Sequence, residues 1–130
     1  MAWKVIVVEP VRSWLHQLRR TDRATLRQIA AAIEALTVEG PSLGRPLVDT
    51  VKGSTIANMK ELRPGSAGST EVRLLFVFDP FRQAVILVGG DKAGNWRSWY
   101  RMAIPQAETA YGLHLRRLVE KEGTGDGPPQ

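Results

Sequence analysis

A chain of 130 residues with 18 Lys and Arg against 13 Asp and Glu, a net charge of +5 and no cysteine has room for one modest core and excludes disulfides and zinc–thiolate sites. Thirteen of the cations are Arg and five are Lys, and the guanidinium fork suits phosphates and ring faces, so the balance favours an anionic partner. The apolar run Val5–Val8 stops at Glu9 and Pro10, too short for an export segment or a membrane span, so the expectation is a cytoplasmic protein with no membrane role.

Trp3–Val8 (WKVIVV) is short and β-branched, which predicts a first strand. From Val11 the period changes, and Val11, Trp14, Leu15 and Leu18 share one helical face. Thr21 is placed to cap a second helix with Asp22 in its first turn. Leu26, Ile29, Ile33 and Leu36 mark that helix's stripe up to Gly40–Pro41. The two helices form an antiparallel hairpin. Pro41–Ala57 reads as loop, punctuated by Gly and Pro. Asn58–Arg63 is a short strand closed by Pro64–Gly65, and Gly65–Ser69 (GSAGS) is a flexible hairpin loop.

Glu71–Phe78 (EVRLLFVF) is the clearest strand, with Val72, Leu74, Phe76 and Phe78 on one face and Arg73, Leu75 and Val77 on the other. Ala84–Gly90 is nearly all apolar, the pattern of a strand covered on both faces. Pro105 suits the first turn of a last helix, along which Ala107, Tyr111, His114 and Leu118 form a stripe. The order β-α-α-β-β-β-α predicts an α+β fold over residues 1–122. A small, mostly antiparallel sheet would be packed by the N-terminal helical hairpin, with a C-terminal helix. Residues 123–130 (GTGDGPPQ) read as a disordered tail.

Familiar catalytic sets are missing from the sequence. His16 and His114 have no carboxylate or second His at ligand spacing, and the reading for both is a surface or half-buried side chain. No phosphate-cradling loop or dinucleotide fingerprint is present, and neither a metal nor a small-molecule cofactor is expected. What remains is a basic and aromatic constellation. Lys60 and Arg63 lie on one strand and Arg73 on the next, and GDKAGNWRSWYR (Gly90–Arg101) supplies Lys92, Trp96, Arg97, Trp99, Tyr100 and Arg101.

In a meander these groups can converge on one sheet face, where cations meet phosphates and flat groups stack on unpaired bases. Cleaving RNA by its own 2′-hydroxyl needs that proton removed, the phosphorane stabilised and the leaving 5′-oxygen protonated. Arg and Lys serve the second need; Lys or Tyr can serve the others. Core packing is an equal reading for Trp96 and Trp99. Arg63 can pair with Glu61 or Glu71, and Lys92 can decorate a turn. A cation inside an apolar strand, as at Arg73, needs a partner.

The strings MKELR, VRLLFVFD and AVILVGGDKAGNWRSWYRMAIPQAETAY resemble the RelE/HigB-like toxins of type II toxin–antitoxin systems, in particular the phage-derived HigB-like branch, from Trp3 to about Leu118. The resemblance implies a RelE-like fold and a ribosome-associated mRNA endoribonuclease that inhibits translation. It also implies a cognate helix-turn-helix antitoxin. Arg73, Arg63 and Lys92 match the family's strand arginine, its ELR arginine and the lysine after its last strand. On this reading Arg73, Lys92 and Tyr100 are catalytic, and Lys60, Arg63, Trp96, Arg97 and Arg101 bind RNA. Many relatives carry HGFxKKTxKTP where this chain has VGGDKAGNWRSWYRMAIP, so Arg97, Tyr100 or Arg101 would have to substitute. A ParE-like gyrase inhibitor and a non-enzymatic RNA- or protein-binding module are the alternatives.

Overall fold

The computed structural model describes residues 2–65 and 68–123, with side chains through Lys121. The elements are β1 (Lys4–Val7), α1 (Val11–Thr21), α2 (Arg23–Glu39), a 3₁₀ turn (Gly40–Ser42), β2 (Val48–Thr50), β3 (Lys60–Leu62), β4 (Val72–Phe78), β5 (Gln83–Asp91) and α3 (Trp96–Gly123). The sheet runs β1-β5-β4-β3-β2. β1 lies parallel to β5, and every other pair is antiparallel.

The α+β expectation holds, with an extra strand. β2 sits inside Pro41–Ala57, which reads as loop because three residues are too few to show a period. It pairs with β3 through Val48↔Leu62 and Thr50↔Lys60. Of the expected hairpin loop, Ser66 and Ala67 lie outside the described residues, as do residues 124–130 of the expected tail; Gly123 closes α3.

The α1–α2 junction also departs from expectation. The Thr21 hydroxyl donates to the Gln17 carbonyl (3.0 Å) and so finishes α1. Asp22 takes the cap: its carboxylate accepts from the Thr25 N–H (3.2 Å) and hydroxyl (2.6 Å). Those bonds hold its carboxyl below the usual range. Pro105 is not in a first turn but inside α3, which starts nine residues earlier at Trp96. Pro105 has no N–H to return to the turn before it. Burial of Trp99, Ala103 and Ala107 against the sheet offsets that loss.

The sheet divides the interior into two cores. On one face Leu62, Leu74, Phe76, Ala84 and Ile86 pack under α1 and α2, meeting Val11, Ile29, Ala32 and Leu36. On the other, Met59, Leu75, Val77, Val85 and Leu87 pack under α3 against Trp99, Ala103 and Ala107. β4 and β5 are covered on both faces, which is why Ala84–Val88 carries no polar alternation. A bulge opposite Leu75/Phe76 puts successive residues Leu87 and Val88 into the α3-side core.

Beyond the bulge, two glycines let indoles approach the backbone from opposite sides. A Cβ on Gly89 would stand 2.7 Å from Trp14, and one on Gly90 would stand 2.5 Å from Trp99. Trp99 therefore seats the start of α3 directly over β5, opposite Arg73, the ladder partner of Gly90.

Candidate nucleic-acid site

Register decides which polar groups meet. Glu61 opposes Leu75 in the β3–β4 ladder, and Arg73 precedes Leu75 by two residues, so both side chains lie on the α3 side. Arg63 follows Glu61 by two and shares its face; the Arg63 N–H donates to the Leu47 carbonyl (2.7 Å), fixing the strand's exit. α3 then brings Tyr100 down onto the same spot.

The centre is the Glu61 carboxylate, only 4% exposed. Arg63 reaches its Oε1 with Nε and Nη2, both at 3.0 Å, and also grips Asp49 Oδ2 at 3.0 Å. The Tyr100 hydroxyl donates to Glu61, 2.5 Å from Oε2 and 3.1 Å from Oε1. Arg73 stands further off, with Nε 4.0 Å from Oε1. Its Nη1 donates to the Val72 carbonyl (2.8 Å), while Nε is buried without a hydrogen-bond partner among the described residues. Burial, with Glu61's hydrogen bond and charge behind it, pushes the Tyr100 phenol well above its ordinary value, against the pull of Arg73 and Arg63.

Lys92 completes the cluster from the exit of β5. Asp91 accepts from the Glu71 N–H (2.9 Å) and the Ala93 N–H (3.0 Å), tying the exit to the start of β4. Lys92 Nζ lies 3.2 Å from Glu71 Oε2 and 5.9 Å from the centroid of the Tyr100 ring. Arg63, Arg73 and Tyr100 are thus gathered around Glu61, with Lys92, paired to Glu71, beside the Tyr100 ring.

The other expected residues separate. Lys60 pairs with Phe76 and faces the α1–α2 side, away from Arg73. The two Trp divide: Trp99 is buried and meets Tyr100 edge-on at 5.0 Å, whereas Trp96 is 53% exposed with Arg97 over its ring at 5.2 Å. Arg101 is exposed on the same helix.

Of the two acids here, Glu61 is expected as a partner of Arg63, a pairing the structure shows, but not as the centre of the cluster, and Asp49 is not foreseen. Glu61 announces itself only as a carboxylate two residues before Arg63, and Asp49 lies on the unforeseen β2. His114, read as surface or half-buried, is buried, with Nε2 2.8 Å from Asp79 Oδ2. Asp79 also accepts from the Phe81 and Gln83 N–H groups and from Gln83 Nε2. This pair ties α3 to the β4–β5 turn, far along the helix from Tyr100. Among the described residues no group of His, Cys, Asp and Glu could hold a metal ion, and no helix is long and apolar enough to cross a membrane.

The family profile for "Phage derived protein Gp49-like (DUF891)" matches residues 14–112. The chain belongs to the Gp49-like family. The match runs from Trp14 within α1 to Gly112 within α3 and includes every residue of the Glu61 cluster. Two Mycobacterium tuberculosis relatives of this Gp49-like chain are named "Putative toxin HigB2", 55% identical over 113 residues, and "Putative toxin HigB3", 51% identical over 104 residues. The alignments take in 87% and 80% of this chain. The chain spans about half (55%) of the HigB2 protein and 86% of the HigB3 protein. Among solved structures, a free double-arginine mutant of E. coli toxin RelE superposes with a TM-score of 0.55 at 15% identity, over 82% of this chain and 98% of that one. That likeness establishes a RelE-like fold. The resemblance to the RelE/HigB-like group drawn from MKELR, VRLLFVFD and the β5 exit is borne out.

Proposed function

We propose that this protein is a toxin that cleaves mRNA at the ribosome in the cytoplasm and is neutralised by a cognate helix-turn-helix antitoxin. The observation that carries the reading is the convergence of Arg63, Arg73, Lys92 and Tyr100 on one sheet face. The names of the M. tuberculosis relatives support the toxin half of it.

Without substrate the cations are matched by acids: Arg63 by Glu61 and Asp49, Lys92 by Glu71, and Arg73 loosely by Glu61. Arg73 is the least satisfied: its buried Nε lies 4.0 Å from Glu61 with no hydrogen-bond acceptor among the described residues, so a phosphate meeting its part-exposed side chain displaces the weakest of these ion pairs. In cleavage, Arg73 and Arg63 bind the non-bridging oxygens and stabilise the phosphorane as charge builds, and Lys92 adds a third positive charge. The 2′-oxygen attacks phosphorus and passes its proton to a non-bridging oxygen. The bond to the 5′-oxygen breaks, leaving a 2′,3′-cyclic phosphate and a 5′-hydroxyl. Tyr100, whose phenol is held protonated, can donate to that leaving oxygen and recovers its proton from the protonated non-bridging oxygen; it cannot serve as the base that starts the reaction. Glu61 positions Tyr100 and both arginines.

The test is purified protein added to a translating extract. Wild type should cut mRNA. Arg73→Ala should slow cutting by roughly 10²–10³-fold, the cost of removing one such donor, and Arg73→Ala with Lys92→Ala should abolish it. Intact mRNA beside wild-type protein, or stalled gyrase supercoiling without RNA loss, would overturn the reading.

A further inference from the structure

Beside the cation cluster lies a cavity of about 270 Å³ between the end of β2 and the start of α3. It is below the roughly 300–1,000 Å³ that drug-sized ligands occupy, and so suits one flat ring system better than a whole nucleotide. Its apolar lining is Val51, Trp96, Tyr100 and Ile104; its polar lining is Thr50, Lys52 and Glu61. Trp96 is a large aromatic left half in solvent, which core packing does not explain. Two of the lining residues, Glu61 and Tyr100, also belong to the Arg63–Arg73 cluster. A chain whose phosphate lies on those arginines would present a neighbouring base to this cavity.

The polar groups define which base. The Glu61 carboxylate only accepts hydrogen bonds when ionised, and with Arg63 filling Oε1 it is Oε2 that has a lone pair to spare. The Tyr100 proton is directed at Glu61, so its oxygen presents lone pairs to anything else. Thr50 can donate or accept. The lining is thus acceptor-rich. Guanine alone among the four RNA bases has adjacent ring N–H and amino donors on its Watson–Crick edge; uracil offers a single N–H between two carbonyl acceptors.

We propose that this cavity is a nucleobase pocket in which Trp96 stacks on the base and the Glu61–Tyr100 acceptors select guanine, with Lys52 meeting the adjoining phosphate. The assignment of the base to an RNA substrate rests on the endoribonuclease reading, but the pocket can be tested without cleavage. Guanosine and uridine 5′-monophosphates have no internucleotide bond to cut. Each would be titrated into the intact protein while the Trp96 indole N–H resonance, identified by its loss in Trp96→Phe, is followed by NMR.

Guanosine monophosphate should shift that resonance saturably, and uridine monophosphate should need at least roughly tenfold more. Trp96→Ala should weaken guanosine monophosphate binding by about fivefold or more, the lower end of base–aromatic stacking, read on other pocket resonances. Trp96→Phe should keep most of it. No saturable shift, or equal response to both nucleotides, overturns the pocket even if the protein cuts mRNA. A guanine-selective shift beside uncut mRNA upholds the pocket and sinks the endoribonuclease reading.

Discussion

Tyr100 and Glu61 share a short hydrogen bond, 2.5 Å to Oε2, beside two arginines. Because burial and Glu61 raise the phenol above its ordinary 10.0, the folded protein holds this proton more tightly than the unfolded chain does. The stabilising effect is fully present below about pH 10. It is lost as pH climbs through the raised value, where the unfolded chain has already ionised. Urea midpoints of wild type measured from pH 8 to 11 should therefore fall above pH 10, and Tyr100→Phe should flatten that fall. Tyr111 is raised too, by burial and by Asp79, so a residual slope should survive the substitution. An identical slope in both proteins would show that Tyr100 is not held as the structure has it. Arg73 and Lys92 were legible in the sequence because a cation in or just after an apolar strand stands out. Glu61 was legible only as a partner for Arg63, because the register alone sets it near Tyr100, 39 residues away.

At the scale of elements, α3 is fastened to the sheet at two places: Trp99 over Gly90 near its start, and His114 on Asp79 further along. Between them Glu108 accepts from the Thr55 N–H (2.6 Å) and from the hydroxyls of Ser54 and Thr55, so it holds the β2–β3 loop against the helix. His114→Ala removes a buried partner while Asp79 keeps its bonds to Phe81 and Gln83. The expected cost is about 1–3 kcal/mol, read as a lower urea midpoint at constant m. Amide exchange should quicken in α3 beyond Tyr111 and not in β4; uniform quickening would count against a local anchor. β4, β5 and the two-helix hairpin were legible because their periods are sustained. β2 is too short to have one, and Pro105 misled because tertiary burial kept a helix going through a residue that normally starts or ends one.

Across the whole molecule, the cations of the Glu61 cluster and those of the α1–α2 hairpin lie on opposite faces of the sheet. Those of the candidate site are matched by acids. Those of the α1–α2 hairpin, Arg12, Arg19, Arg20, Arg23 and Arg27, form no salt bridge among the described residues, and α1 itself contains no Asp or Glu. Unpaired arginines release counterions when they meet phosphates, whereas paired ones must first give up an acid. A share of the salt-sensitive RNA affinity should therefore come from the hairpin, and the chemistry and base choice from the α3 side. Arg19→Ala with Arg20→Ala should lower the slope of log K against log salt for single-stranded RNA by roughly 0.7 per lost contact. It should also raise KM while leaving kcat near wild type. Arg73→Ala should do the reverse, sparing the salt slope and collapsing kcat. Were the hairpin pair to leave the slope unchanged, the net charge of +5 would have to act through the site itself, and the division of labour between the two faces would fail.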